Sequence, residues 1–284
     1  MLTQIRPLTT PESLVAKHRR LEDVLRGLGT VMVAFSGGVD SALLLKVAHD
    51  VLGERAVGAI ALSETIPAAE VQAATDLATA IGARLYTVHT EEMLSAAFRK
   101  NDADRCYHCK TELFTKLRPL ADRLGIAHLA YGINADDVGD HRPGQVAAGE
   151  WSVGGPLLEA GLNKSEIRQL SRQLGLPTWN KPAMACLSSR IPHGQAISVE
   201  AIRMIEEAEA FIRGLGVYDL RVRSHEGTAR IEVDAESLPL LAQPEIRAKV
   251  SAKLHALGYR YVTLDLDGFR SGSTNAVNNP APSH

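Results

Sequence analysis

Two short runs of this sequence bring together residue types that do chemistry. In Ser36-Gly37-Gly38-Val39-Asp40-Ser41, two hydroxyls and a carboxylate surround a glycine pair directly after an apolar run. Glycine permits a tight turn and close approach of backbone N–H groups to an anion, and a helix starting at Asp40 or Ser41 adds its dipole. Asp40 could then hold the Mg²⁺ that accompanies a triphosphate. The alternative reading is an N-capped helix after a glycine turn. No Gly-Lys-Ser/Thr follows, so this is not a Walker loop. The second run is the cysteines: Cys106 and Cys109 in Asp104-Arg105-Cys106-Tyr107-His108-Cys109-Lys110, and Cys186 in Lys181-Pro182-Ala183-Met184-Ala185-Cys186-Leu187-Ser188-Ser189-Arg190. An odd count with a CxxC pair points to metal or thiol chemistry before disulfide scaffolding. A zinc site using His108 or His193 competes for the pair, and a buried small apolar residue competes for Cys186.

Further candidates lie where strands are expected to end. Ser63 closes a strand candidate, and Gly132, Asn134, Asp136 and Asp137 follow another, so they face the crevice where parallel sheets gather ligands. The two aspartates read equally as metal ligands or helix caps. Lys164, at the start of a helix, is a partner for phosphate charge or a solvated first-turn lysine. Arg221 and Arg223 stand two apart on a strand and share a face, which suits a phosphomonoester. Arg190 is a further contact candidate. Glu232 and Asp234 also share a face, as metal ligands or as a solvated acidic surface.

The elements that must position these residues follow from the hydrophobic pattern. Residues 31–35, a short apolar run, and 56–62, 83–89 and 127–131 are strand candidates, alternating with helical stretches at 40–51, 67–81, 104–124 and 163–174. That alternation predicts a doubly wound parallel sheet, an α/β fold. Beyond about Arg190 the order becomes helix 198–213, strands 217–223 and 229–233, helix 245–257 and strand 261–266, a smaller C-terminal α+β unit. We expect domains at 1–190 and 191–270 and a flexible tail at 271–284. The net charge of -2 gives no footprint of a general nucleic-acid binder. No apolar stretch reaches the roughly 18 residues a membrane span needs, and Met1 to Arg20 shows no export segment, so a cytoplasmic address is expected.

Ser36 to Ser41 resembles the SGGxDS signature of the PP-loop ATP pyrophosphatases, the adenine nucleotide alpha hydrolase-like fold. The resemblance implies cleavage of ATP between the α- and β-phosphates, with AMP passed to a substrate oxygen. Together with Arg105-Cys106-Tyr107-His108-Cys109-Lys110, Tyr131-Gly132-Ile133-Asn134-Ala135-Asp136-Asp137, Cys186-Leu187-Ser188-Ser189-Arg190 and the closing run from Tyr261 to Ser273, the chain from about Leu21 to Asn275 resembles the ATP-dependent sulfur transferases of the LarE type. That family implies a pyridinium-3,5-biscarboxylate mononucleotide as substrate, in nickel-pincer nucleotide biosynthesis. Each carboxylate is adenylated and converted to a thiocarboxylate. Members with one cysteine, matching Cys186, give up its sulfur and leave dehydroalanine. Members with three resemble thiolases in which three thiolates hold a 4Fe-4S cluster, and this chain has that pattern. On this reading Ser36, Gly37, Gly38, Val39, Asp40, Ser41, Ser63, Gly132 and Lys164 are expected at ATP and Arg190, Arg221 and Arg223 at the mononucleotide, and the resemblance suggests a homo-oligomer. A tRNA thiolase is the nearest rival, and it predicts a basic face with salt-sensitive affinity.

Overall fold

The computed structural model describes residues 12–138, 143–182 and 185–269. The tail expected at 271–284 lies outside the described residues. Four strands, β1 (Val31–Ala34), β2 (Ala56–Leu62), β3 (Arg84–His89) and β4 (His128–Tyr131), form one parallel sheet in the order β3-β2-β1-β4. The helices beside it are α1 (Leu14–Leu28), α2 (Val39–Leu52), α3 (Ala68–Ile81), α4 (Ala96–Lys100), α5 (Arg105–Arg123), α6 (Pro143–Glu150), α7 (Pro156–Glu159) and α8 (Lys164–Gln173).

Side chains alternate across a strand, and here the alternation sorts them into two buried layers. Val31, Val33, Ala56 and Ile60 pack with Leu43, Leu44 and Leu45 of α2 and with α1, α3 and α8. Met32, Val57 and Ala59 pack on the other face with Phe114, Leu117 and Ala121 of α5 and Ala147 and Ala148 of α6. Both faces are therefore covered, as an all-parallel sheet requires. The sheet's β4 edge is closed by a neighbouring segment: Gly154 N–H donates to Leu129 O at 2.9 Å, and its carbonyl accepts from Tyr131 N–H at 3.1 Å. β2 runs on from β1 to one side and β4 pairs with β1 on the other, so the topology switches beside β1. The crevice at the carboxyl ends of β1 and β4 is where such a sheet binds ligands.

Helix α1 was not anticipated from sequence. Its charges, from Lys17 to Arg26, mask a narrow stripe in which Leu21 and Leu25 are wholly buried. Burying each contributes roughly 1.5–3 kcal/mol.

The second unit contains α9 (Val199–Arg213), β5 (Leu220–His225), β6 (Thr228–Val233), α10 (Leu238–Ala242), α11 (Pro244–Ala256) and β7 (Tyr261–Leu264). β5 and β6 are antiparallel with His225 opposite Thr228, so Glu226 and Gly227 alone make the turn. Both have positive φ, 46° and 81°, as a two-residue hairpin with the twist of its strands demands. β7 returns parallel to β6 after α11, as a helical crossover requires, and a separate core of Val222, Ile231, Val233 and Leu254 lies beneath.

Candidate active site

The phosphate loop joins β1 to α2. Gly37 takes φ 67°, and a Cβ there would come within 2.7 Å of Ala74 Cβ, so glycine is needed for both conformation and space. Gly38 caps α2 in extended conformation without a side-chain bond to the first turn. The leading N–H groups of a 14-residue helix are thus left for an anion. Ser36 and Ser41 hydroxyls lie 3.2 Å apart, and Ser41 Oγ also reaches Gly38 O at 3.2 Å, which fixes the loop's curl.

Gly132, following β4, lets that strand end approach the loop: a Cβ would lie 2.9 Å from Asp40 Cβ and from Ser41 N. Asp40 is held by Lys164 Nζ at 2.5 Å and by Asn134 Nδ2 at 3.5 Å. Gly132, Asp40, Ser41 and Lys164 are therefore brought together. Asp136 accepts from Lys164 N–H and Asp137 from Asn134 N–H, so both aspartates act as caps in this arrangement. Lys181, which sequence reasoning passed over, sits over the loop with Nζ 3.2 Å from Gly37 O and 2.9 Å from Glu70. Its place in the Cys186 segment was the available signal.

Ser63 is engaged elsewhere. Its hydroxyl donates to Glu92 Oε1 at 2.5 Å and shares that carboxylate with Thr65 at 2.9 Å. Glu92 is only 3% exposed, on a turn at Glu92–Leu94, and its Oε2 has no partner among the described residues. Nothing in the sequence marked it, since a glutamate beside Glu91 reads as surface.

The three cysteines are free thiols. Cys106 and Cys109 lie in the first turns of α5, and Cys186 immediately precedes the 3-10 turn Leu187–Arg190. Burial pushes the Cys109 thiol up to about 12, and the Cys186, Glu92 and Cys106 charges all add to it. The same interactions place Cys186, Cys106 and the Glu92 carboxylate within electrostatic reach of Cys109. Among the described residues, no three His, Cys, Asp or Glu side chains converge on a site the size of one ion. His108 turns Nε2 to Asp104 at 3.2 Å, and His193 turns Nδ1 to Asn101 O at 3.2 Å.

Arginines surround the far side of the Cys186 turn. Arg190, 3% exposed, has every nitrogen engaged: Nε and Nη2 on Glu209 at 2.8 and 3.1 Å, and Nη1 on Ala185 O, Cys186 O and Ser189 Oγ. Glu209 also accepts from Arg213 and from Val222 N–H. Burial pushes its carboxyl up, but bonds from Arg190, Val222 and Arg213 outweigh this and leave it below the usual range. Arg223 pairs with Glu232 at 3.0 Å and donates to Ser189 O at 2.9 Å. Glu232 is 1% exposed and also holds Arg230, so the acidic-surface reading fails for it; Asp234 instead caps the turn at Ser237. Arg221 stacks on Phe269 at 4.8 Å. Its pKa falls to about 10, first through burial and then through repulsion by Arg190, with Arg223 and Arg213 adding to it. Crowded guanidiniums of this kind favour an added anion.

The NAD synthase family profile matches residues 18–120, which carry the loop and the CxxC turn. The chain is 42% identical to an uncharacterized protein of Synechocystis sp., over 93% of this chain and 98% of that one. It is 37% identical to the pyridinium-3,5-bisthiocarboxylic acid mononucleotide synthase of Lactiplantibacillus plantarum, over 93% and 95%. An uncharacterized protein of Methanocaldococcus jannaschii is 26% identical over 85% and 91%. No described helix is long and apolar enough to cross a membrane.

Proposed function

Because the chain belongs to the LarE-type family of pyridinium-3,5-bisthiocarboxylic acid mononucleotide synthases, we propose that it activates the carboxylates of pyridinium-3,5-biscarboxylic acid mononucleotide with ATP and replaces oxygen by sulfur. The observation that carries this reading is the position of the Cys186 turn. Leu187 N–H donates to Thr65 O at 2.9 Å, beside the strand end of the nucleotide crevice, and Ser189 O accepts from Arg223 on the arginine side. The turn that carries Cys186 thus runs between the segment following β2 and the buried arginines.

In this reading the Ser36–Ser41 amides and Lys164 hold the triphosphate, with Asp40 carrying Mg²⁺. A substrate carboxylate oxygen attacks the α-phosphorus, the α–β bridge breaks, and pyrophosphate leaves against the helix dipole. Sulfur then attacks the acyl carbon, the C–O bond breaks, and AMP departs. Arg221 and Arg223 bind the mononucleotide phosphate, and Arg190 orients the Cys186 turn through the Ala185 and Cys186 carbonyls. The units 1–190 and 191–270 serve respectively as ATP-cleaving and substrate-binding domains, and the active form is a cytoplasmic homo-oligomer that takes no nucleic acid.

The three free thiols match the ligand number of a 4Fe-4S cluster that leaves one iron open, and Cys106 and Cys186 both lie within electrostatic reach of Cys109. Cys106, Cys109 and Cys186 would hold it, and its open iron would supply hydrosulfide so that the protein is not consumed. The test is pyrophosphate and thiocarboxylate formation by anaerobic protein, with iron and sulfide analysis. Turnover with about four irons per chain is expected. Iron-free turnover with loss of H₂S mass at Cys186 means that Cys186 gives its own sulfur, and no pyrophosphate release overturns the function.

Arg221→Gln should raise the KM for the mononucleotide roughly 10- to 100-fold, the loss of one or two charge-assisted bonds, while the KM for ATP stays unchanged. Unchanged substrate KM removes Arg221 from the site. Arg223→Ala is a different experiment, because it breaks a buried ion pair and should lower stability by about 3–5 kcal/mol in denaturant titration.

A further inference from the structure

Asn101 is wholly buried in left-handed conformation at φ 61°, at the end of α4. Its side-chain amide donates to the carbonyls of Ile191, Pro192 and Gln195 at 3.3, 2.8 and 3.0 Å. Its own carbonyl accepts from Gly194 N–H at 3.1 Å. Its side-chain oxygen accepts from Arg105 Nη1 at 2.5 Å, and the same Nη1 donates to Ser188 O at 3.1 Å. Arg105 directly precedes Cys106, and Ser188 is two residues past Cys186. One side chain therefore ties the start of the CxxC turn to the Cys186 turn across 83 positions of sequence.

Arg105 is an unusual choice for a strut. It is 7% exposed, its bonds go to neutral oxygens, and its Nε is buried with no partner among the described residues. A guanidinium buried in this way is poorly compensated, so a gain in stability does not explain it. Its geometric effect does: it holds two otherwise separate segments at one spacing. The apolar surroundings are shared too, since Phe98, Leu187, Ile191 and Ile197 form one cluster against which Cys109 packs.

We propose that Arg105, seated by Asn101, is the positioning residue that sets Cys186 against Cys106 and Cys109, and so governs the sulfur step and not adenylation. The kinetic half of this rests on the proposed function; the geometric half does not. Metal-free, reduced protein carrying Cys106→Ser is treated with dibromobimane, which fluoresces once both its arms have alkylated thiols. Peptide mass analysis is expected to show Cys109 joined to Cys186. Arg105→Met and Asn101→Ala are each expected to slow that cross-link at least about tenfold, since small displacements defeat proximity, and Arg105→Lys to restore much of it. Monobromobimane labelling of either cysteine should stay unchanged. Equal cross-linking in parent and Arg105→Met, no cross-link in a parent whose two cysteines both take monobromobimane, or an equal fall in monobromobimane labelling each overturns the proposal.

In a single turnover, Arg105→Met in the otherwise unaltered protein is expected to release its first equivalent of pyrophosphate within about twofold of the normal rate while thiocarboxylate formation falls at least about tenfold. Equal loss of both steps marks Arg105 as merely structural. If the unaltered protein releases no pyrophosphate, the proposed function fails and the cross-link alone decides the geometry.

Discussion

Cys186→Ala is expected to abolish thiocarboxylate formation while the first equivalent of pyrophosphate is still released from ATP, because adenylation precedes the sulfur step. Under either sulfur route the Cys186 thiol has no substitute: it is the atom given up, or one of three that hold the cluster. Removing a group on which the chemistry depends costs roughly a thousandfold or more in rate. The fold should tolerate the change, because the turn is held by main-chain bonds: Leu187 N–H on Thr65 O, and Arg190 on the Ala185 and Cys186 carbonyls. The measurement is pyrophosphate and thiocarboxylate from the same anaerobic reaction. A variant forming thiocarboxylate at the normal rate ends the assignment. Parallel loss of both products, with the fold intact by circular dichroism, moves Cys186 from the sulfur step to the nucleotide step.

The second large effect lies at the loop. Asp40→Asn keeps the shape that packs against Gly132 but removes the charge expected to hold Mg²⁺. Pyrophosphate release should fall roughly 10²- to 10³-fold, as when one preorganised electrostatic group is removed from a reacting centre. Stability should change little, because the Lys164–Asp40 pair is partly exposed, at 33% and 22%, and such pairs contribute about 0–1 kcal/mol. Gly132→Ala tests the same place by shape. Its Cβ would meet Asp40 and Ser41, so the start of α2 must shift, and ATP affinity should fall. Normal pyrophosphate release by Asp40→Asn would assign the metal to other ligands.

The loop was legible in sequence because its signals are local: four strand residues, a glycine turn and a helix follow one another without a gap. Gly132 was also legible, since a glycine just past a strand marks close backbone approach. What escaped is non-local. Glu209 lies 19 residues from Arg190, and nothing in its helix separates it from the exposed Glu200 or the half-buried Glu206. Glu92 and Asn101 look like surface polar residues and become wholly buried nodes only when distant segments close on them. The hairpin Glu226-Gly227 was missed for a chemical reason: glutamate seldom takes positive φ, so the pair lacks the usual Asn-Gly or Asp-Gly signal. β5 accordingly runs to His225, two residues beyond its expected end at Arg223.

Gly154 has a consequence for how copies of this protein behave when crowded. An unpaired strand edge is a template on which another chain's strand can grow, the first step toward aggregation. On β4 that template is occupied by the chain's own Gly154, bonded to both Leu129 and Tyr131. At the opposite edge, β3 opens with Arg84, whose guanidinium meets Glu54 at 2.8 Å, placing charge where a foreign strand would have to dock. The sheet that carries the phosphate loop is thus stopped at one end by hydrogen bonds and guarded at the other by charge.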